Sequence, residues 1–333
     1  VKTAPALAWV AVWAGLLGAA AGAHARDSRS RVAPPPFTVA AVPASVPQGG
    51  VLVVLARPLG SGAVQDLTAR LGGRTAAGFP WAGEELRALL PVPADATPGP
   101  ATVALRVKDG DGDEHDVLLP FTVVRGDFET DELSVGSRFV SPTRKQLAQA
   151  RADSRAFEAA WRKGSPERLW RGSFKVPVPP RVTATFGTFR TLNGKVRSRH
   201  MGTDYGARVG DPILAANNGR VVLARNCFYA GNAVVLDHGG GLFTTYYHLT
   251  TFRVRDGETV RRGQVLGTAG ATGRVTGPHL HLGVKLLGTY VDPVRFLGMD
   301  FSEDPLASQR RAGSRPKPDP RSRGREGSPG NGH

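Results

Sequence analysis

Along residues 37–125 the apolar positions fall in short runs broken by Pro, Gly and Asp. Phe37–Val42 alternates loosely, Val51-Leu52-Val53-Val54-Leu55 is continuous, and Ala101–Val107 and Asp116–Val124 flank the polar stretch Asp109-Gly110-Asp111-Gly112-Asp113-Glu114. Runs of this length, separated by turn residues, predict strands. Their number and spacing predict a small immunoglobulin-like β-sandwich over 37–125. The pattern then changes. Arg144 to Lys163 holds no Gly or Pro, is rich in Ala, Arg, Gln and Glu, and follows Ser141-Pro142-Thr143. That is the signature of one helix, placed in a linker over 126–180. Residues 181–298 return to strands: Arg220–Ala224, Ala233–Asp237 and Leu242–His248 are divided by Asn/Gly turns, and Val254–Gly267 reads as strand, turn, strand. The fold class is mainly β.

The termini read differently. Lys2, an apolar stretch from about Ala6 to Leu17, and Ala23-His24-Ala25 before Arg26 match a signal peptide over 1–25. The apolar run is short of the ~20 residues a membrane span needs. The expectation is an exported protein (periplasm, cell envelope or secreted) with no stable membrane span after signal cleavage. Residues 302–333 set Arg310, Arg311, Arg315, Lys317, Arg321, Arg323 and Arg325 among Pro, Gly and Ser, the composition of a basic disordered tail.

The net charge of +15 suits an anionic polymer. Export, and the lack of an aromatic-plus-basic stacking motif, disfavour nucleic acid, and none is expected as a partner. Phospholipid headgroups and anionic wall polymers remain as partners, and charge alone does not choose between them. The single cysteine, Cys227, allows neither an intramolecular disulfide nor a cysteine-based zinc site. It reads as a small buried apolar residue rather than a nucleophile. The Asp109–Glu114 turn is not a calcium loop: an EF-hand needs Gly at the sixth position and Glu at the twelfth, and Glu114 and Pro120 stand there. Val254–Gly267 is similar to lipoyl and biotinyl carriers, but no Lys stands between Lys195 and Lys285 to carry the group.

Five of the eight histidines lie between 200 and 281, which points to a metal. His200-Met201-Gly202-Thr203-Asp204 has helical i, i+4 spacing, but its glycines place it on an irregular strand or loop. His279-Leu280-His281 on a strand puts both imidazoles on one side and Leu280 on the other. Two imidazoles and one carboxylate make a three-ligand zinc set, which leaves a fourth position for water, as in catalytic sites.

These residues sit in a longer pattern. His200–Asp204 reads H-x-x-x-D. Thr244-Thr245-Tyr246-Tyr247-His248-Leu249 reads T-x-Y-x-H-L. Gly270 to His281 reads G-x-T-G-x-x-x-G-P-H-L-H. With Phe186-Gly187, Arg190, Asn193-Gly194, Val260–Gln264 and Val291-Asp292-Pro293, the chain over about 175–298 resembles the M23 (lysostaphin-type, LytM-like) zinc metallopeptidases. The resemblance implies an antiparallel LytM-type (lipoyl-like hybrid) peptidase domain over 181–298. It implies one zinc ion held by His200, Asp204 and His281, with His248 and His279 as catalytic residues flanking the water. The implied activity is hydrolysis of peptide cross-links in bacterial peptidoglycan. The alternative is a catalytically silent regulator that activates wall amidases. All three ligand positions and both accessory histidines are present, which disfavours it. His248 follows two aromatic residues and shares a face with Tyr246 if the strand is regular. A core histidine is its competing reading, and the motif context outweighs it. His238, in Asp237-His238-Gly239, reads as structural.

Overall fold

The structure is a computed structural model that describes residues 35–301. The expected signal peptide (1–25) and the expected tail (302–333) lie outside the described residues. No helix among the described residues is long and apolar enough to cross a membrane.

The first half is two facing sheets. One has four strands in the order Phe37–Val42, Val51–Pro58, Leu86–Pro91, Phe79–Pro80. The other has five: Ser45–Pro47, Glu114–Val124, Gly99–Asp109, Val64–Leu71, Arg74–Ala77. Side chains alternate between the two faces of a strand. Leu52, Val54 and Ala56 therefore meet Leu67, Ala69, Val103, Leu105, Val107 and Phe121 between the sheets. Val51 and Val53 point the other way, with Leu89, into the core of the second half. This strand is buried on both faces, which is why its apolar run does not alternate. The strands Val64–Leu71 and Leu86–Pro91 were not anticipated. The first carries only two buried side chains, Leu67 and Ala69, among polar ones. In the polar turn, one Asp109 oxygen accepts the N–H groups of Asp111 and Asp113 at 3.0 Å each, and the other lies 2.7 Å from His115 Nε2.

The linker helix spans Arg144–Arg162. Thr143 caps it, exchanging hydrogen bonds with Gln146 in a capping box. Its apolar side, with Ala160, Phe157 and Trp161, packs on Val222, Leu223 and Phe243.

The second half sets a separate three-stranded sheet, formed by Thr130–Leu133, Phe189–Leu192 and Val196–Arg199, beside a ten-stranded one. Val182–Ala184, Thr203–Gly206, His279–Leu286, Leu242–Phe252, Gly231–Gly239 and Gly219–Cys227 run side by side through it, and each neighbouring pair is antiparallel. The molecule is thus mainly β, as its sequence pattern predicts. One face of the ten-stranded sheet packs on Trp170, Phe174, Phe296 and Phe301. The site lies on its other face.

Candidate metal centre

Pairing register builds the site. Asp204 sits directly opposite His281, and His281 is flanked on its other side by Tyr247. Residues opposite one another on antiparallel strands share a face, so these three form one row. His279, two residues before His281, lies on the same face, while Leu280 between them is fully buried in the core. His200 leaves the strand Val196–Arg199 and is tied down by its N–H to Thr188 O at 2.9 Å.

Three atoms converge. His200 Nε2 lies 2.9 Å from Asp204 Oδ1, His281 Nδ1 lies 2.8 Å from the same oxygen, and the two nitrogens are 3.0 Å apart. The far nitrogen of His200 faces a carbonyl: Nδ1 is 2.7 Å from Thr185 O. A carbonyl only accepts, so Nδ1 carries the proton and Nε2 turns its lone pair to the cluster. The two other histidines are set the same way. His248 Nδ1 faces Thr272 O at 2.8 Å, and His279 Nδ1 faces Gly277 O at 2.8 Å. His279 Nε2 then lies 3.7 Å from Asp204 Oδ1. The His248 and His279 rings are 4.9 Å apart. Tyr247 stacks on His281 at 5.2 Å, with an interplanar angle of 8°.

His248 reaches this face through an irregularity. Between the pairs Val234↔Tyr246 and Asn232↔Leu249 its strand uses three steps where the partner uses two. That extra residue is a β-bulge, and His248 has φ 67°. A regular strand would bury His248 beside Tyr246, which is in the core. The bulge turns His248 towards the same face as Tyr247.

Charge and burial agree with a cation site. Burial by itself would push the Asp204 carboxyl up. The close approach of the His200 and His281 rings outweighs it and holds Asp204 well below the usual carboxylate range. Burial pushes His281 down to about 4. Burial, with the neighbouring rings of His281 and His279, pushes His248 down to about 3. Both rings are neutral donors at neutral pH. The second Asp204 oxygen accepts from Arg190 Nη2 at 2.8 Å, leaving Oδ1 to face the histidines.

The donor set fits zinc in type: two imidazole nitrogens and one carboxylate oxygen. It also fits in size. Bonds of ~2.0–2.1 Å in a tetrahedral site give ligand edges of about 3.3 Å, a few tenths longer than the triangle seen.

All five residues singled out by the sequence come together. Arg190 was read as part of the motif's run-in, without a role. The carbonyls of Thr185, Thr272 and Gly277 were missed, because backbone groups carry no residue-type signal. Cys227 is buried, its thiol pushed up to about 12 by burial and by nearby Asp153. His238 is fully buried, with Nδ1 2.7 Å from Asn218 O and Nε2 2.8 Å from Thr244 Oγ1.

Residues 198–293 match the family model described as Peptidase family M23. Peptidoglycan DD-endopeptidase ShyA of Vibrio cholerae is 45% identical over 96 residues, which are 29% of this chain and 22% of that protein. DD-carboxypeptidase/endopeptidase Mpg of Neisseria meningitidis serogroup B is 42% identical over 126 residues, 37% of this chain and 29% of that protein. The chain thus spans less than a third of the length of these curated relatives. A crystal structure described as a peptidase M23 from Pseudomonas aeruginosa matches 75% of this chain and 94% of its own, with a TM-score of 0.57 and 28% identity.

Proposed function

We propose, from the match of residues 198–293 to peptidase family M23, that this chain is an exported zinc endopeptidase that hydrolyses peptide cross-links of bacterial peptidoglycan. The observation that carries this reading is the triangle of His200 Nε2, Asp204 Oδ1 and His281 Nδ1, with edges of 2.8–3.0 Å, beside two further histidines. The substrate class is supported by the named activities of the relatives.

His200, Asp204 and His281 would hold one zinc ion per chain. Zinc, when bound, supplies Lewis acidity that makes water nucleophilic at neutral pH. The chain's own residues do the rest. Arg190 fixes the Asp204 carboxylate. Thr272 O and Gly277 O fix the tautomers of His248 and His279, so that each presents an unprotonated Nε2. One of these two rings takes the proton from the attacking water. Once protonated, it delivers that proton to the leaving amine. The basic surface would hold the enzyme near anionic wall polymers.

The test is digestion of purified peptidoglycan by the purified chain. The expected result is release of soluble fragments with new amino groups, abolished by a chelator and restored by zinc. Release of new reducing sugar ends instead, or hydrolysis indifferent to the chelator, would overturn the reading.

A further inference from the structure

The residues that support His200 lead out of the peptidase motif to the linker. The loop 185–188 holds His200 from three sides. Thr185 O faces the imidazole Nδ1 at 2.7 Å, Gly187 N–H donates to His200 O at 2.7 Å, and Thr188 O accepts the His200 N–H at 2.9 Å. Two of these contacts are backbone to backbone, so the position of the ligand follows the conformation of this loop.

The loop in turn is clamped by residues 128–135. The strand Thr130–Leu133 adds in parallel to Phe189–Leu192, the strand that follows the loop. Phe189 N–H donates to Glu129 O at 2.8 Å, and the Asn193 side chain exchanges two hydrogen bonds with the Val135 backbone, each 2.8 Å. The closest contact is made by Phe128. Its ring lies against Gly187, where a Cβ would come within 2.1 Å of it. The same ring meets Phe186 edge-on at 6.4 Å and is covered by the Arg199 guanidinium at 4.4 Å. Arg199 precedes His200 and donates from Nε to Gly187 O at 3.1 Å.

Glu129 also touches the loop, accepting from Thr185 Oγ1 at 3.0 Å. That bond is exposed, and water can replace it at little loss. Phe128 has no such substitute: a ring seated on a glycine, with a cation on its other contacts, leaves a gap when removed.

We propose that Phe128 is a positioning residue for the metal site: by seating on Gly187 it fixes the loop 185–188 that aims His200. The inference rests on the reading of His200 as a ligand. It places a determinant of metal affinity in the linker, 70 residues before the start of the family match at 198. Groups that orient a metal ligand typically carry 10–100-fold in metal affinity.

The experiment uses the full chain. Zinc affinity is measured by competition with a chromophoric chelator, and the cobalt-substituted protein gives the ligand-field spectrum. Phe128→Ala is expected to weaken zinc binding by about 10–100-fold and to shift the cobalt bands. Phe128→Tyr, which keeps the ring, is expected to restore both. Phe37→Ala removes a buried ring of the sandwich core and controls for general destabilisation. It is expected to lower the melting temperature and leave zinc affinity unchanged. Wild-type affinity and spectrum in Phe128→Ala, with zinc lost in His200→Ala, would overturn the proposal and leave the ligand reading intact. Wild-type affinity in His200→Ala would remove the ligand reading itself, and the proposal with it.

Discussion

Two buried histidines of the large sheet are put to opposite uses by their hydrogen bonds. His238 has both nitrogens engaged, by Asn218 O and Thr244 Oγ1, and Thr244 Oγ1 lies 2.9 Å from the Tyr246 hydroxyl. Neither nitrogen is left for chemistry. His248 has Nδ1 engaged by Thr272 O, and its Nε2 faces the cluster. The His238 environment has a measurable consequence. Burial pushes its pKa down to about 4, against about 6.5 when unfolded. The unfolded chain therefore takes up a proton that the folded chain refuses. The contribution is complete above about pH 6.5 and declines as the pH falls towards 4, reaching roughly 2 kcal/mol lost at pH 5. Urea unfolding of the wild type and of His238→Gln, between pH 7.5 and 5, checks it. The variant should show a shallower decline with acid by about that amount, and parallel curves would refute the assignment. At this scale the sequence was legible where residue type carries the chemistry. The histidines and Asp204 could be found by spacing. Their carbonyl partners could not, since any residue supplies a carbonyl.

The bulge in Leu242–Phe252 is the element on which the second pair of histidines depends. Strict alternation along Tyr246-Tyr247-His248 would bury His248, and nothing in those residues marks the irregularity. Its physical origin lies in other parts of the chain. Gly231 opens the neighbouring strand with φ +64°, and a Cβ there would come within 2.3 Å of Thr272 Oγ1. Thr272 Oγ1 accepts the Asn232 N–H at 2.9 Å and donates to Leu249 O at 2.7 Å, just past the bulge. The same residue's carbonyl orients His248. Gly231→Ala should therefore strain the backbone by on the order of 1–3 kcal/mol and displace Thr272. The expected result is at least about a tenfold loss of turnover, with zinc content retained. Turnover at the wild-type rate, measured on the folded variant, would show that the Thr272 contact does not set the orientation of His248.

Across the whole molecule, one strand belongs to two cores. Leu52 and Val54 face the sandwich interior, while Val51 and Val53 face Tyr205, Val284 and their neighbours in the second half. The seam continues through Asp292 N–H to Gly49 O at 2.8 Å and Arg74 Nε to Thr289 Oγ1 at 2.6 Å. An aromatic group closes it: Trp81, Trp170 and Phe301 have ring centroids 4.9–6.4 Å apart. The sequence predicted a buried strand at Val51–Leu55 from its unbroken apolar run. It did not say what covers the second face, because a run has no direction. Val64–Leu71 was missed for the complementary reason, since its exposed polar positions dilute the period. What was legible was local pattern and chemical type, and what was not was register and the partner across each face.

The central claim is that five side chains, brought together from three strands and a loop, form one zinc site with two separable roles. Metal analysis of the purified chain alongside fragment release from peptidoglycan, for wild type, His281→Ala and His248→Ala, tests it most directly. The account predicts one zinc per wild-type chain, loss of both zinc and hydrolysis in His281→Ala, and retained zinc with a rate lower by about 10²–10⁴-fold in His248→Ala. Full zinc occupancy in His281→Ala, or wild-type turnover in His248→Ala, would contradict it.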